Sequence, residues 1–434
     1  MNRTRVRHVL TTAAIAAIFL IAMPVASAHT AAPAPGASSI AAASIHYTIP
    51  TGKEMSGFAY DATTYEVYIS NEGSNNVTII SSTSHTHSSV HVGKSPLGIL
   101  YDPGDKELYV PNYNSSNVSV ISASTNKVVA NPSLGVGAKP SSAVYDPASG
   151  DVLVLNSTSS LGTGLGWMIS NGTNTVKKLT FGSGTIGSAV YNPKSKDLYL
   201  VNYIAGTVSI VSGTGTVTSL SVGGTPAYEI VDPATNDTLV WGTYTSGTHE
   251  ELRISVISSS NTVAATLLDK SVNGAYPLVG SAGYDPATKD FYLVAFNYTS
   301  NKSFALVISS SNAISSTIAL GPTGYLYAFY DPANGDVYVT TDAKQIAVIS
   351  GTTLGTPIKT KQSAYFLVYD PTLKDMVGAG YVNLKTVSVL NLISSSNSLS
   401  TLKVGKGAVA PFYDPKDTYV YVANLGSDDV DLVG

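Results

Sequence analysis

The chain of 434 residues has no cysteine, two tryptophans and only four arginines, three of them within the first seven positions. Without cysteine there is no disulfide, no thiolate metal ligand and no thiol nucleophile. Charged residues are 12 % of the chain, too few for a surface that works mainly through ions. After Met23 no apolar run is long enough to span a bilayer as a helix, which takes about 20 residues. Stability therefore rests on packing, and function on groups other than thiols and dense charge.

The one long apolar run stands at the start. Arg3, Arg5 and Arg7 precede an apolar stretch from Val9 to Met23, and Ala26-Ser27-Ala28 supplies a small-x-small cleavage pattern. Residues 1–28 are thus predicted to be a signal peptide, with an uncleaved N-terminal anchor as the alternative. Residues 29–44, rich in Ala, Pro and Ser, read as a spacer, and 45–434 as the folded domain. The expected location is extracellular or at the cell surface. Three of the 24 basic residues lie in the leader, leaving 21 against 28 acidic ones and a net charge of −7. That sign argues against a sequence-independent grip on nucleic acid and against docking on anionic lipid.

What fills the chain is hydroxyl, about a quarter of it Ser or Thr, and a recurring phrase. Tyr60-Asp61, Tyr101-Asp102-Pro103, Tyr145-Asp146-Pro147, Tyr191-Asn192-Pro193 and Val231-Asp232-Pro233 are its first five copies. Tyr284-Asp285-Pro286, Tyr330-Asp331-Pro332, Tyr369-Asp370-Pro371 and Tyr413-Asp414-Pro415 complete nine, spaced 39 to 53 residues apart. Such a period, with several short strands per unit, is the mark of β-propeller blades. In the second unit Ile99–Tyr101, Glu107–Val110, Val118–Ser122 and Val128–Val136 read as four strands, with Asn112 at a site suited to a left-handed turn. The expected fold is all-β, a propeller of four-stranded antiparallel blades. It has nine repeat units, and the strand Ser44–Ile49 closes the ring by joining the last of them. Seven or eight blades remain the alternative.

Tyr68-Ile69-Ser70-Asn71, Tyr109-Val110-Pro111-Asn112, Tyr199-Leu200-Val201-Asn202 and Tyr421-Val422-Ala423-Asn424 each follow such a unit and precede a Val-Ser-Val-type strand. In these residues the chain resembles the YVTN-type β-propeller repeats of secreted and surface-layer proteins, over roughly residues 45–434. The resemblance implies the fold and an exported setting; its motif is structural and names no chemistry.

Chemical motifs are few. Gly182-Ser183-Gly184-Thr185-Ile186-Gly187 matches a dinucleotide-binding fingerprint, but no helical period follows it. No cofactor is expected. His85 and His87, if on one strand face, could reach one divalent metal. Among the first strands Glu229 is the only carboxylate before the anchor residues, short of the several convergent groups that catalysis takes. The repeat is interrupted between second and third strands in the third, fifth and sixth units, where Trp167, Trp241, Tyr244, His249, Arg253, Phe296 and Tyr298 gather. Aromatic residues with one arginine on extended loops suit a binding surface; ordinary blade packing, with Arg253 paired to Glu250 or Glu251, is the competing account. The expectation is an exported binding or scaffolding module with a surface protein or an envelope glycan as partner. The alternative is a propeller-type enzyme, such as a lactonase or a quinoprotein-like dehydrogenase.

Overall fold

Short runs rich in β-branched and aromatic residues between turns give strands, many of them buried on both faces, and in the computed structural model every regular element among the described residues is a β-strand. The structure describes residues 43–434 except 157–162, 185–187, 247–248, 270–274, 277–281, 298–299, 323, 342–343 and 381–383. The predicted signal peptide and nearly all of the spacer lie outside them. Two compact units are distinguished, one on Thr51–Trp241 and Ser255–Ala265, the other on Gly242–Ile254 and Thr266–Gly434 with the strand Ile45–Pro50.

The strands form nine antiparallel sheets, or blades, each a meander of four. The first is Met55–Asp61, Glu66–Asn71, Asn76–Ser81 and His87–His91. In the sixth the first strand comes in two pieces, Ala275–Tyr276 and Ala282–Asp285, both paired to Asp290–Asn297. In the seventh the fourth strand is split into Thr353–Leu354 and Ile358–Lys359. The ninth takes its first three strands from Ala408–Tyr413, Val420–Asn424 and Asp429–Val433, and its fourth is Ile45–Pro50. The count is nine, and the N-terminal strand closes the ninth blade as the sequence suggests.

The recurring Asp or Asn is the hinge pin of each first hairpin. All nine anchors are 0–5 % exposed, and each accepts a backbone N–H from two residues on at 2.7–2.9 Å. This closed Asx turn lets a buried carboxylate reverse the chain within four residues. Core side chains sit between consecutive blades. Tyr109, Val118 and Val120 pack on Val152, Val154 and Trp167, and Val377, Leu390 and Leu392 pack on Val420 and Val422.

Two polar devices tie neighbouring repeats. At the end of the second strand the amides of Asn71, Asn112, Asn202 and Asn424 each donate to side chains five and seven residues on, at 2.8–3.0 Å. A linker glycine lies flat on each amide: a Cβ at Gly52, Gly93, Gly182 or Gly405 would come within 2.6–2.8 Å of the Asn side chain. Asn112 is therefore a buried bracket. The left-handed turn of that hairpin falls at Ser116, with φ 55°, and the fourth strand is the shorter Lys127–Ala130. Gly182 opens the fingerprint-like motif for the same packing reason, and its residues 185–187 lie outside the described ones.

The second device is a reciprocal clamp. Tyr68, Tyr199 and Tyr338 donate to the Oδ1 of Asn126, Asn261 and Asn397 in the following blade. These asparagines donate back to Glu66, Asp197 and Asp336 at 2.8–3.0 Å. All three sit in left-handed turns, φ 54–61°, a conformation Asn adopts at low cost.

Candidate functional site

The fifth blade departs most from the repeat. Its second and third strands, Thr238–Ser246 and His249–Ile257, are nine residues each against six in the first blade. The fifth-unit insertion read from sequence as a swollen loop is thus largely extra strand, and the same holds for the eight-residue strands Asp290–Asn297 and Lys302–Ser309 of the sixth.

Near the far end of this hairpin Tyr244 is 36 % exposed, and the Arg253 guanidinium lies over its ring, 5.0 Å from the centroid. The flanking residues Leu252 and Ile254 are each 1 % exposed, so strand alternation turns Arg253 to the opposite side. Its Nε is closed off from solvent and has no hydrogen-bond partner among the described residues. Neither Glu250 nor Glu251 pairs with it.

Trp241, 2 % exposed, lies stacked on Tyr228 with centroids 5.7 Å apart, and its indole N–H has no acceptor among the described residues. The turn from Asp232 to Asp237 sets residue 228 opposite 241, a pairing readable from the anchor spacing once the turn length is known. Trp167 is 3 % exposed and belongs to the core between the second and third blades. Phe296 is 7 % exposed. His249 begins its strand, and Tyr298 lies outside the described residues. Of the aromatic candidates with described side chains, Tyr244 alone is exposed, and Arg253 is joined to it. His85 sits in a turn at φ 55° and His87 opens the following strand, so the two do not share a strand face. Among the described residues no group of three or more His, Asp or Glu is placed to hold a metal ion.

A second unusual group is Glu229. Counted back three from each anchor, the other eight positions hold apolar residues, among them Phe58, Ile99, Ala143, Ala189, Ala328 and Leu367, all under 9 % exposed. Here a carboxylate takes that place on the strand Thr225–Val231. Its Oε1 accepts from the Ser188 hydroxyl at 2.9 Å, and its Oε2 has no partner among the described residues. Burial pushes the Glu229 carboxyl up to about 8, against the lowering effect of the Ser188 bond.

No protein-family model matches the chain, and no curated protein sequence does. Solved structures do. The chain is similar to the Dos1 propeller, at 10 % identity over 89 % of this chain and 95 % of that one, with a TM-score of 0.55. It is similar to dihydro-heme d1 dehydrogenase NirN in complex with DHE, at 11 % identity over 91 % and 83 %, TM-score 0.54. Sqt1 of Saccharomyces cerevisiae matches at 8 % identity over 82 % and 98 %, TM-score 0.52. The fold is a nine-bladed β-propeller. At such identities the likeness carries the propeller fold and nothing of what those proteins do. Among the described residues no helix is long and apolar enough to cross a membrane.

Proposed function

We propose that this chain is an exported, YVTN-type β-propeller that serves as a binding or scaffolding module at the cell surface, with an envelope glycan or a surface protein as ligand. The carrying observation is the pair of Arg253 and Tyr244, an exposed aromatic ring under an arginine with no carboxylate partner among the described residues, on the hairpin that departs from the repeat. The motif polar groups, by contrast, serve the fold: the nine anchors hold turns and the four bracket asparagines hold linkers. Aromatic and arginine side chains on a rigid hairpin give a contact surface at low entropic cost. Of the wider sequence set, Trp167, Trp241 and Phe296 back the blades from inside and His249 stands at the hairpin end.

The test is co-sedimentation of the purified protein with washed envelopes of the source cells. Saturable retention that falls at least tenfold in Tyr244→Ala supports the reading, and absence of retention removes it. A second reading, a propeller-type enzyme such as a lactonase or quinoprotein-like dehydrogenase, draws on Glu229, whose raised carboxyl suits proton transfer near neutral pH. Turnover of a lactone panel that is lost in Glu229→Gln would favour it.

A further inference from the structure

Arg253 is the only arginine beyond Arg7, in a chain that otherwise uses lysine for positive charge. It makes no hydrogen bond or ion pair to any described residue, although Glu250 and Glu251 are close in sequence and Glu251, two residues away, shares its side of the strand. Its Nε is inaccessible and, among the described residues, unbonded. A donor closed to water is closed to a ligand as well, so a ligand would meet the guanidinium at its terminal nitrogens. What the structure does supply is orientation. The Tyr244 ring at 5.0 Å holds the guanidinium through a cation–π contact, and the strand residues Leu252 and Ile254, buried on the other side, fix its backbone.

We infer that Arg253 and Tyr244 form a subsite for a carboxylate-bearing sugar, a uronic-acid unit within an otherwise neutral glycan. This rests on the binding reading above and narrows it to one ligand chemistry. A planar guanidinium fork matches a carboxylate in bidentate fashion, which lysine cannot reproduce. Tyr244, 36 % exposed, offers aromatic surface beside the fork for the apolar C–H face of the same sugar. The setting selects against dense polyanions: the predicted mature chain carries net −7 from 21 basic and 28 acidic residues, which repels nucleic acid and polyphosphate at long range. A glycan with isolated carboxylates meets one arginine and a surface rich in hydroxyls, and its own hydroxyls match that surface.

The experiment titrates the whole protein with a uronic-acid-containing oligosaccharide and with its carboxyl-reduced, neutral counterpart, by calorimetry, with a glutamate-rich peptide as a third probe. The uronate oligomer is expected to bind, with at least tenfold weaker binding for the reduced form and for the peptide. Arg253→Lys, which keeps the charge and loses the fork, is expected to cost tenfold or more at an unchanged melting temperature. Equal binding of acidic and neutral oligomers, no binding of either, peptide binding as tight as uronate, or a Lys variant equal to the parent overturns the inference. Envelope retention that uronate fails to compete leaves the binding module standing and removes this subsite. Uronate binding without envelope retention keeps the subsite and removes the cell-surface reading.

Discussion

Asn397 illustrates how a single side chain can be read two ways. In sequence it is a turn residue in a Ser-rich stretch; in the structure it reaches back to the preceding blade, accepting from Tyr338 at 2.5 Å and donating to Asp336 at 3.0 Å. Replacement by glycine keeps the left-handed turn at φ 61° and removes only the clamp. Asn397→Gly is expected to lower stability by about 1–2 kcal/mol, the usual net value of one or two such bonds, read from the urea midpoint; an unchanged midpoint would show the clamp to be idle. Glu229 gives a prediction of the opposite kind. Its folded carboxyl is raised from 4.5 to about 8, so the folded state holds that proton more tightly than the unfolded chain does. The stability it contributes is full below about pH 4.5 and is lost as pH rises through about 8. Glu229→Gln should therefore flatten the pH dependence of the melting temperature between pH 5 and 9 (roughly, from that linkage), chiefly by protecting the alkaline side. A variant as pH-sensitive as the parent would show that the proton resides elsewhere.

At the scale of hairpins and linkers, the anchors were legible because each is local: Asp102 and Gly104 are two residues apart, and a turn can be read from that spacing alone. The Gly–Asn bracket was not, because Gly93 and Asn112 meet only after two strands have paired. Gly93→Ala would drive a Cβ to within 2.6 Å of the fully buried Asn112 side chain. It should cost about 1–3 kcal/mol, as overpacking does, with a matching drop in melting temperature; a neutral outcome would mean the linker can lift off the amide. The aromatic candidates show the other limit of sequence. Trp167, Trp241 and Tyr244 are alike in type and all lie on interrupted repeats, yet two fill the interior and one faces solvent. Position along the strand decides between Trp241 and Tyr244: residues 239–242 are buried on both faces and exposure begins at Tyr244 near the hairpin end, which could not be placed before the hairpin was known to lengthen as strand. That neither Glu250 nor Glu251 pairs with Arg253 was equally out of reach, since both are neighbours in sequence whichever way their side chains turn.

Over the whole molecule, the hydroxyl excess has a structural address. The turns between third and fourth strands are laced by side-chain hydroxyl contacts: Ser122 with Ser124 at 3.0 Å, Ser212 with Thr214 at 2.9 Å, Ser258 with Ser260 at 2.8 Å and Ser394 with Ser396 at 2.9 Å. None of these groups titrates in the range of living systems. Most shifted carboxyls are raised by burial, Asp331 to about 6 and Asp102, Asp370 and Asp375 in the same direction. Asp61 is the exception: burial pushes it up, but bonds from Thr63 and Thr64 outweigh that and hold it low. The stability held by the raised groups is complete below the ordinary carboxylate range and is lost as pH climbs through 6 and 8. The intact protein should accordingly melt higher near pH 5 than near pH 8 (approximate values from the same linkage), and a higher melting point at pH 8 would contradict it. The ninth blade carries a different consequence. Its outer strand begins at Ile45, which pairs with Val433 at the other end of the chain. That strand therefore waits unpaired while the eight blades between it and its partner are synthesised. The ninth sheet is complete only when residues 429–433 have been made, and a chain broken off before them is left with a raw, adhesive sheet edge.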